Sequence, residues 1–283
     1  MTWLIFSLLA LTFFVIYDLS SRYLATKSEN PLVFAAIYNF FVALMAPLLF
    51  FFDKTTPSHL TVPILIMTVV GLIVWGLFGR FEYFARSHTE ASVMSITVKL
   101  APVINFFLAL IILHESWSIN KLFGVFLIVI ANILLYFGTN RRSVISDKGL
   151  YYSLLVTLFL ALGWLFDAIN VKAWGVATFS FLSFLAPSIL SSVFPTITLR
   201  AIKKELSLTP WWQIFILGSF NLAGYGLLLK ALSIGEASKV IPITSATTPF
   251  IVLFGIIILG ERKNVARKII SSLIAMFAIY LMR

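Results

Sequence analysis

The chain has 283 residues, of which 60% are hydrophobic and only 11% charged, with a net charge of +10. A soluble domain carries roughly 25% charged residues, so this composition excludes a water-soluble globule and makes a lipid bilayer the solvent. The basic residues sit singly or in short clusters between apolar runs, which suits loops beside a membrane and not a nucleic-acid surface, and with no cysteine there is neither a disulfide framework nor a thiolate nucleophile or metal ligand.

A spanning helix needs about 20 mostly apolar residues. In chain order ten such stretches are read, at 2–24, 32–52, 62–84, 91–113, 120–138, 150–172, 175–199, 210–232, 237–259 and 264–282. Met1–Tyr17 carries no charge, so the first stretch lacks the basic region of a cleaved signal and is expected to be retained. The connectors, among them KSENP, DKTTPSHL, TNRRSVISDK and KKELSLTP, have no room for a soluble domain. The expected fold is an all-α integral membrane protein of ten transmembrane helices with only turns outside.

The two halves repeat each other. ARSHTEAS (Ala85–Ser92) aligns with ALSIGEAS (Ala231–Ser238) at an offset of 146, and LHE (Leu113–Glu115) with LGE (Leu259–Glu261) at the same offset. Asp18 pairs with Asp167 at an offset of 149, and Pro47 with Pro195 at 148. The chain therefore divides into residues 1–143 and 144–283, each with five spans. Because five is odd, the second half starts from the opposite side of the membrane, which makes the halves inverted repeats. That arrangement is typical of secondary transporters, whose substrate sites lie near the midplane between repeats, although channels and membrane enzymes can be duplicated too.

The segment ARSHTEASVMSITVKLAPVINFFLALIILHESWSINKLFGVFLIVIANILLY and its second-half counterpart ALSIGEASKVIPITSATTPFIVLFGIIILGERKN resemble EamA-type members of the drug/metabolite transporter superfamily. The shared pattern is a polar turn with small residues, an apolar helix containing a proline, and then a Gly/His-Glu turn. The resemblance covers the whole chain as ten helices in two copies. It implies that the first four helices of each half surround a cavity, with the fifth and tenth peripheral. Trp164, in ALGWLFDA, keeps a tryptophan of the pattern. Lys99 departs from it, standing where the family usually has an apolar or small residue.

Lys99 lies eight residues into the fourth stretch, roughly 12 Å deep at about 1.5 Å per residue. Asp18, 16 residues into the first stretch from the opposite face, falls at nearly the same depth in a core about 30 Å thick. An unpaired charge there costs at least ~2.5 kcal/mol, so a Lys99–Asp18 pair or a wet cavity is expected. One reading makes this a substrate or coupling-ion site, the other a fixed ion pair joining helices. Asp167 is the counterpart of Asp18, with Asn170 and Lys172 close behind, and is placed near a surface; Ser245 stands where the second half would need a lysine. IPITSATTPF (Ile241–Phe250) puts two prolines around Thr244, Ser245, Thr247 and Thr248. Proline removes backbone hydrogen bonds and hydroxyls can satisfy the freed carbonyls, so a broken helix facing a polar cavity is expected, against a plain kink. Trp75, Trp164, Tyr38 and Tyr225 can offer ring faces to a cation.

No enzyme is expected. His59, His88 and His114 fall at span ends without metal-ligand spacing, and neither a phosphate loop nor a serine elbow occurs; no catalytic residue, metal or cofactor is assigned. No ATPase motif is found, so uphill transport needs an exchanged solute or a coupling ion, one candidate being a proton released from Lys99. More lysine and arginine lies at connectors after odd-numbered spans, such as Arg141, Arg142, Lys203 and Lys204, than on the other face. By the positive-inside rule those connectors are cytoplasmic and both termini outside; the resemblance implies termini inside, and we follow the charge count. The sequence reading is a multi-pass secondary transporter in the cytoplasmic membrane that moves a small polar metabolite, amino-acid-like or otherwise carboxylate-bearing, by alternating access. Its partners are the small-molecule substrate and the bilayer, with no nucleic acid. The alternatives are a lipid or lipid-linked-sugar flippase, which needs a lateral opening, and a non-transporting membrane scaffold, which needs no lysine in a wet cavity.

Overall fold

The computed structural model describes residues 2–25, 30–58, 60–88, 94, 97–134, 147–192, 197–251 and 265–283. The described elements are helices: α1 (Thr2–Ala25), α2 (Pro31–Met45) continued by a 3-10 turn (Ala46–Phe51), α3 (Val62–His88), α4 (Ala101–Ile112), α5 (Ile119–Leu134), α6 (Asp147–Trp174), α7 (Val176–Ser192), α8 (Leu199–Leu208), α9 (Trp211–Ile234), α10 (Ala237–Ser245) and α11 (Val265–Met282). Local sequence explains several of their ends. Asn30 caps α2 by accepting from the Leu32 and Val33 N–H groups, with Pro31 in the first turn where its missing N–H costs nothing. Gly175 alone joins α6 to α7; its φ of +74° is one that a side chain would oppose.

Among the described residues, six helical stretches are long and apolar enough to cross a membrane: Thr2–Ser21, Leu32–Phe51, Val62–Glu82, Lys148–Trp174, Trp211–Ile234 and Val265–Met282. Three further apolar helices, Ala101–Ile112, Ile119–Leu134 and Val176–Ser192, are shorter. These elements and α10 fall on the predicted stretches in order. Residues 252–264, which hold the end of the ninth stretch and the LGE motif, lie outside the described residues, as do Glu90–Ser92 of the first polar turn and Pro195.

Two expectations need correction. The connector KKELSLTP is not a bare turn, because LRAIKKELSL folds as α8. Its Glu205 is only 2% exposed and accepts a hydrogen bond from the Asn30 N–H at 3.3 Å, which seats α8 on the start of α2. A ten-residue polar helix gives no hydropathy signal, so a search for apolar length passes over it. The fourth stretch, read as continuous, is broken at Lys99–Leu100, just as the ninth is at Ala246. The breaks match: the Leu100 N–H donates to the Thr97 carbonyl at 3.0 Å and the Ala246 N–H to the Ile243 carbonyl at 3.2 Å, each three residues back and 146 apart. The break expected in IPITSATTPF is found, and it has a twin.

The packing scheme repeats with the sequence. Helix α3 packs on α6 as α9 packs on α1, and α3 on α7 as α9 on α2; α4 packs on α6 as α10 on α1. The pairs α2–α7, α4–α10 and α5–α11 join counterpart to counterpart. Exchanging each helix for its partner at the offset leaves this scheme unchanged, as a two-repeat architecture requires. Polarity is inverted relative to a soluble protein: Ile111 and Leu273 are 70% and 58% exposed, whereas Asn105, Asp167, Asn170 and Ser271 are fully buried. Interior polar groups bond across helices, Asn105 to the Ala161 carbonyl and Ser271 to the Ala131 carbonyl, because hydrocarbon offers no other partner.

Candidate functional site

Asp167 forms one pole of the interior. It is not near a surface: seven residues, or about 10 Å, separate it from the end of α6, and α3, α7 and α9 cover it. Gly163 lets α3 approach, since a β-carbon there would lie 2.9 Å from the Trp75 ring. Trp75 then donates its indole Nε1–H to Asp167 Oδ1 at 2.9 Å. Asp167 Oδ2 has no hydrogen-bond partner, nor do the buried hydroxyls of Tyr225 and Ser183, which lie beside it within electrostatic reach. The Phe184 ring stands edge-on to Tyr225, with centroids 5.2 Å apart. Trp75, Asp167 and Tyr225, chosen separately from the sequence, are therefore neighbours. Asn170 has a different environment. It accepts from Thr68 Oγ1 at 2.7 Å and donates to the Phe166 carbonyl at 2.9 Å, while Trp174 donates to Thr68 at 2.8 Å. This staple fixes the register of α3 on α6. Lys172 is exposed, as a lysine reaching for the interface would be.

Lys99 and Asp18 form a second pole. Lys99 sits in the break immediately before α4, half-buried, and the Asp18 carboxylate in α1 acts on its charge. Among the described residues no hydrogen bond or salt bridge fixes its ammonium. Tyr38 lies close to Tyr17 (ring centroids 6.3 Å apart) and to Asn221, and its hydroxyl is buried without a hydrogen bond. The Asn105–Ala161 bond sets the register of α4 against α6. Lys99 lies six residues before that bond and Asp167 six after it, so the poles are separated by roughly 18 Å along the helix axes. Trp164 packs between them with Trp75, Ala101 and Val98. At the other break, Ser245 donates to the Pro242 carbonyl at 2.8 Å, and Thr248 follows half-buried in the next turn. Sequence reasoning passed over Ser183, Asn221 and Thr68. Ser183 and Thr68 are lone polar side chains in the apolar runs FLSFL and IMTVV, and Asn221 follows Ser219 in SFNLA.

The end of the bundle that carries Thr2 and Met282 is tied across the halves. Lys230 pairs with Asp53 at 2.9 Å, the Ser58 N–H donates to the Ala173 carbonyl at 2.8 Å, and Thr55 rests against Gly175. Glu115 accepts from the Ala237 and Ser238 N–H groups at 2.6 and 2.9 Å, capping α10 from the other half. Lys121 bridges Glu236 and the Ser116 carbonyl, both at 2.7 Å, and Lys239 lies over the Trp3 ring at 5.5 Å. The two repeated motifs thus meet: LHE supplies the carboxylate and GEAS the helix start. His114 takes a left-handed φ of 52°, which explains why Gly260 is its counterpart in LGE. Burial pushes the Asp53 and Glu236 carboxyls up, but hydrogen bonds and charge from Lys230, and from Lys121 and Ser116, outweigh it and hold both below their ordinary values.

A duplicated helical bundle with an apolar exterior and polar groups in its interior defines a multi-pass membrane protein. The model of the EamA-like transporter family matches residues 1–137 and again residues 147–283. The chain belongs to that family, within the drug/metabolite transporter superfamily, and is a multi-pass membrane transporter. A protein of known crystal structure, 12% identical, superposes with a TM-score of 0.74 over 98% of this chain and 97% of its own. At that identity the likeness is one of fold. No curated protein matches the chain.

Proposed function

We propose that this transporter moves a small metabolite bearing a carboxylate, amino-acid-like or a simple organic acid, across the cytoplasmic membrane by alternating access between two inverted five-helix repeats in a ten-span chain. The observation that carries this reading is the placing of Lys99. A lysine beside a broken helix gives the interior a cation, and the N-terminus of α4, capped by no side chain, adds its partial positive charge at the same point. Asp18 offers Lys99 a counter-charge without fixing it, so a substrate carboxylate can take that place. The tied end of the bundle supplies the closed face that alternating access needs, and Tyr38, Trp164, Ser245 and Thr248 lie on helices of the groups that surround the interior.

Transport and binding in proteoliposomes test this. Thermal-shift screening should show stabilisation by carboxylates or amino acids and not by sugars. Lys99→Gln should lose that stabilisation and the matching uptake, and Lys99→Arg should keep binding with altered flux, because a planar guanidinium does not reproduce a compact ammonium. Unchanged affinity and flux in Lys99→Gln would reduce the lysine to a staple between helices.

A further inference from the structure

Among the described residues no cation acts on Asp167, a carboxylate deep within the membrane-spanning bundle. The groups facing it are Trp75 from α3, Ser183 from α7 and Tyr225 from α9. The charged side chains on the elements packed around it are turned to other tasks or lie far off. Lys230, five residues beyond Tyr225, is paired with Asp53; Lys239 on α10 is with Glu236; Lys172 on α6 is exposed. Arg80 of α3 lies five residues past Trp75 and over the Phe84 ring, and Lys99 is roughly 18 Å along the axis. An ionised carboxylate in such a place is costly unless a cation joins it. Three buried oxygens converge, Asp167 Oδ2, Tyr225 Oη and Ser183 Oγ, near enough to act on one another but with none in full hydrogen-bond geometry. A calcium-like ion needs about six to eight oxygens; three suit something smaller.

We infer that Asp167 is the docking site of a coupling proton, separate from the anion-binding pole at Lys99. The proton adds to Oδ2, making a neutral carboxylic acid whose O–H donates to the Tyr225 or Ser183 hydroxyl, while Trp75 stays bonded to Oδ1. On release the O–H bond breaks, the proton leaves to water, and the carboxylate is restored; no other bond changes. The site lies about 10 Å from the tied end of the bundle, below the Asp53–Lys230 pair, so exchange with that side requires the tie to open. Proton binding is thereby linked to the opening of the tied end. The word coupling rests on the transport reading; proton binding itself does not.

Infrared difference spectroscopy of the purified protein during pH steps reads the site without a substrate. The wild type is expected to show a protonated-carboxyl band on acidification. That band should be lost in Asp167→Asn, shifted in Asp167→Glu and in Tyr225→Phe, retained in Lys99→Gln, and indifferent to replacing choline chloride by sodium chloride. A band that survives in Asp167→Asn, or one that sodium removes at constant pH, overturns the proposal, the latter in favour of a metal cation. If the band behaves as expected while Lys99→Gln transports normally, the anion site fails and the proton site stands.

Discussion

Asp18 and Asp167 occupy matched places in the two halves, each seven residues before the end of its helix. Their surroundings diverge. Asp18 acts on a lysine held in the break before α4; at the twin break the second half has Ser245, and Asp167 is met instead by an indole N–H and two hydroxyls. Duplication therefore sets where a carboxylate sits, and the residue at position 99 or 245 decides whether a lysine of the chain stands near it. An anion can compete with Asp18 for Lys99, whereas only a cation can join Asp167.

The strongest way to break this comparison is to neutralise each carboxylate in turn. Asp18→Asn strands Lys99 and should lower stability by roughly 2.5 kcal/mol, which Lys99→Met in the same chain should recover. Asp167→Asn strands nothing and should stay within about 1 kcal/mol of the wild type or exceed it. Thermal unfolding in detergent reads all three, and equal losses for the two asparagine variants would end the distinction. Full rescue of transport as well as stability by the Asp18/Lys99 double change would exclude a direct role for either residue. A sharper version supplies the missing lysine. Ser245→Lys should be tolerated while Asp167 is present and should cost about 2.5 kcal/mol more in an Asp167→Asn background; additive effects would mean that the two positions do not communicate. Next comes Trp75→Phe, which removes the indole donor bonded to Asp167 and should destabilise by about 2 kcal/mol, with a smaller loss when Asp167→Asn has already replaced the charged acceptor by a neutral one.

The smallest effect concerns carboxylates that do have fixed partners. Asp53 and Glu236 are held below their ordinary values of 3.8 and 4.5, so they stay ionised further into acid when folded than when unfolded. Their contribution is complete above those values and is lost as pH falls through the lower folded ones. Each pair is partly exposed and worth under about 1 kcal/mol. Below about pH 5 the melting temperature of the wild type should fall toward that of Asp53→Asn, the shrinking difference between the two reading the contribution of this pair.

Much of this was legible in the chain. Apolar length located the spanning helices, and four matched segments located the repeat, because both signals are local and survive without tertiary knowledge. The break in the second half was legible from Pro242 and Pro249 around hydroxyls; its twin at Lys99 was not, since Pro102 stands alone there and it is the backbone bond from Leu100 to Thr97 that reveals the break. The burial of Asp167 was not legible, because it comes from α3, α7 and α9, which the position of a residue in its own helix does not reveal. The meeting of Glu115 with Ala237 joins residues 122 apart in sequence, a contact that no spacing rule anticipates.

The length of α6 has its own consequence. Its 28 residues make a rod of about 42 Å, against a hydrocarbon layer about 30 Å thick. Such a helix must lean or push its ends among the headgroups, at a cost of a fraction of a kcal/mol for each ångström of mismatch. Acyl-chain length thereby acts as an elastic load on the helix that carries Asp167, thin bilayers favouring a steep lean and thick ones an upright rod.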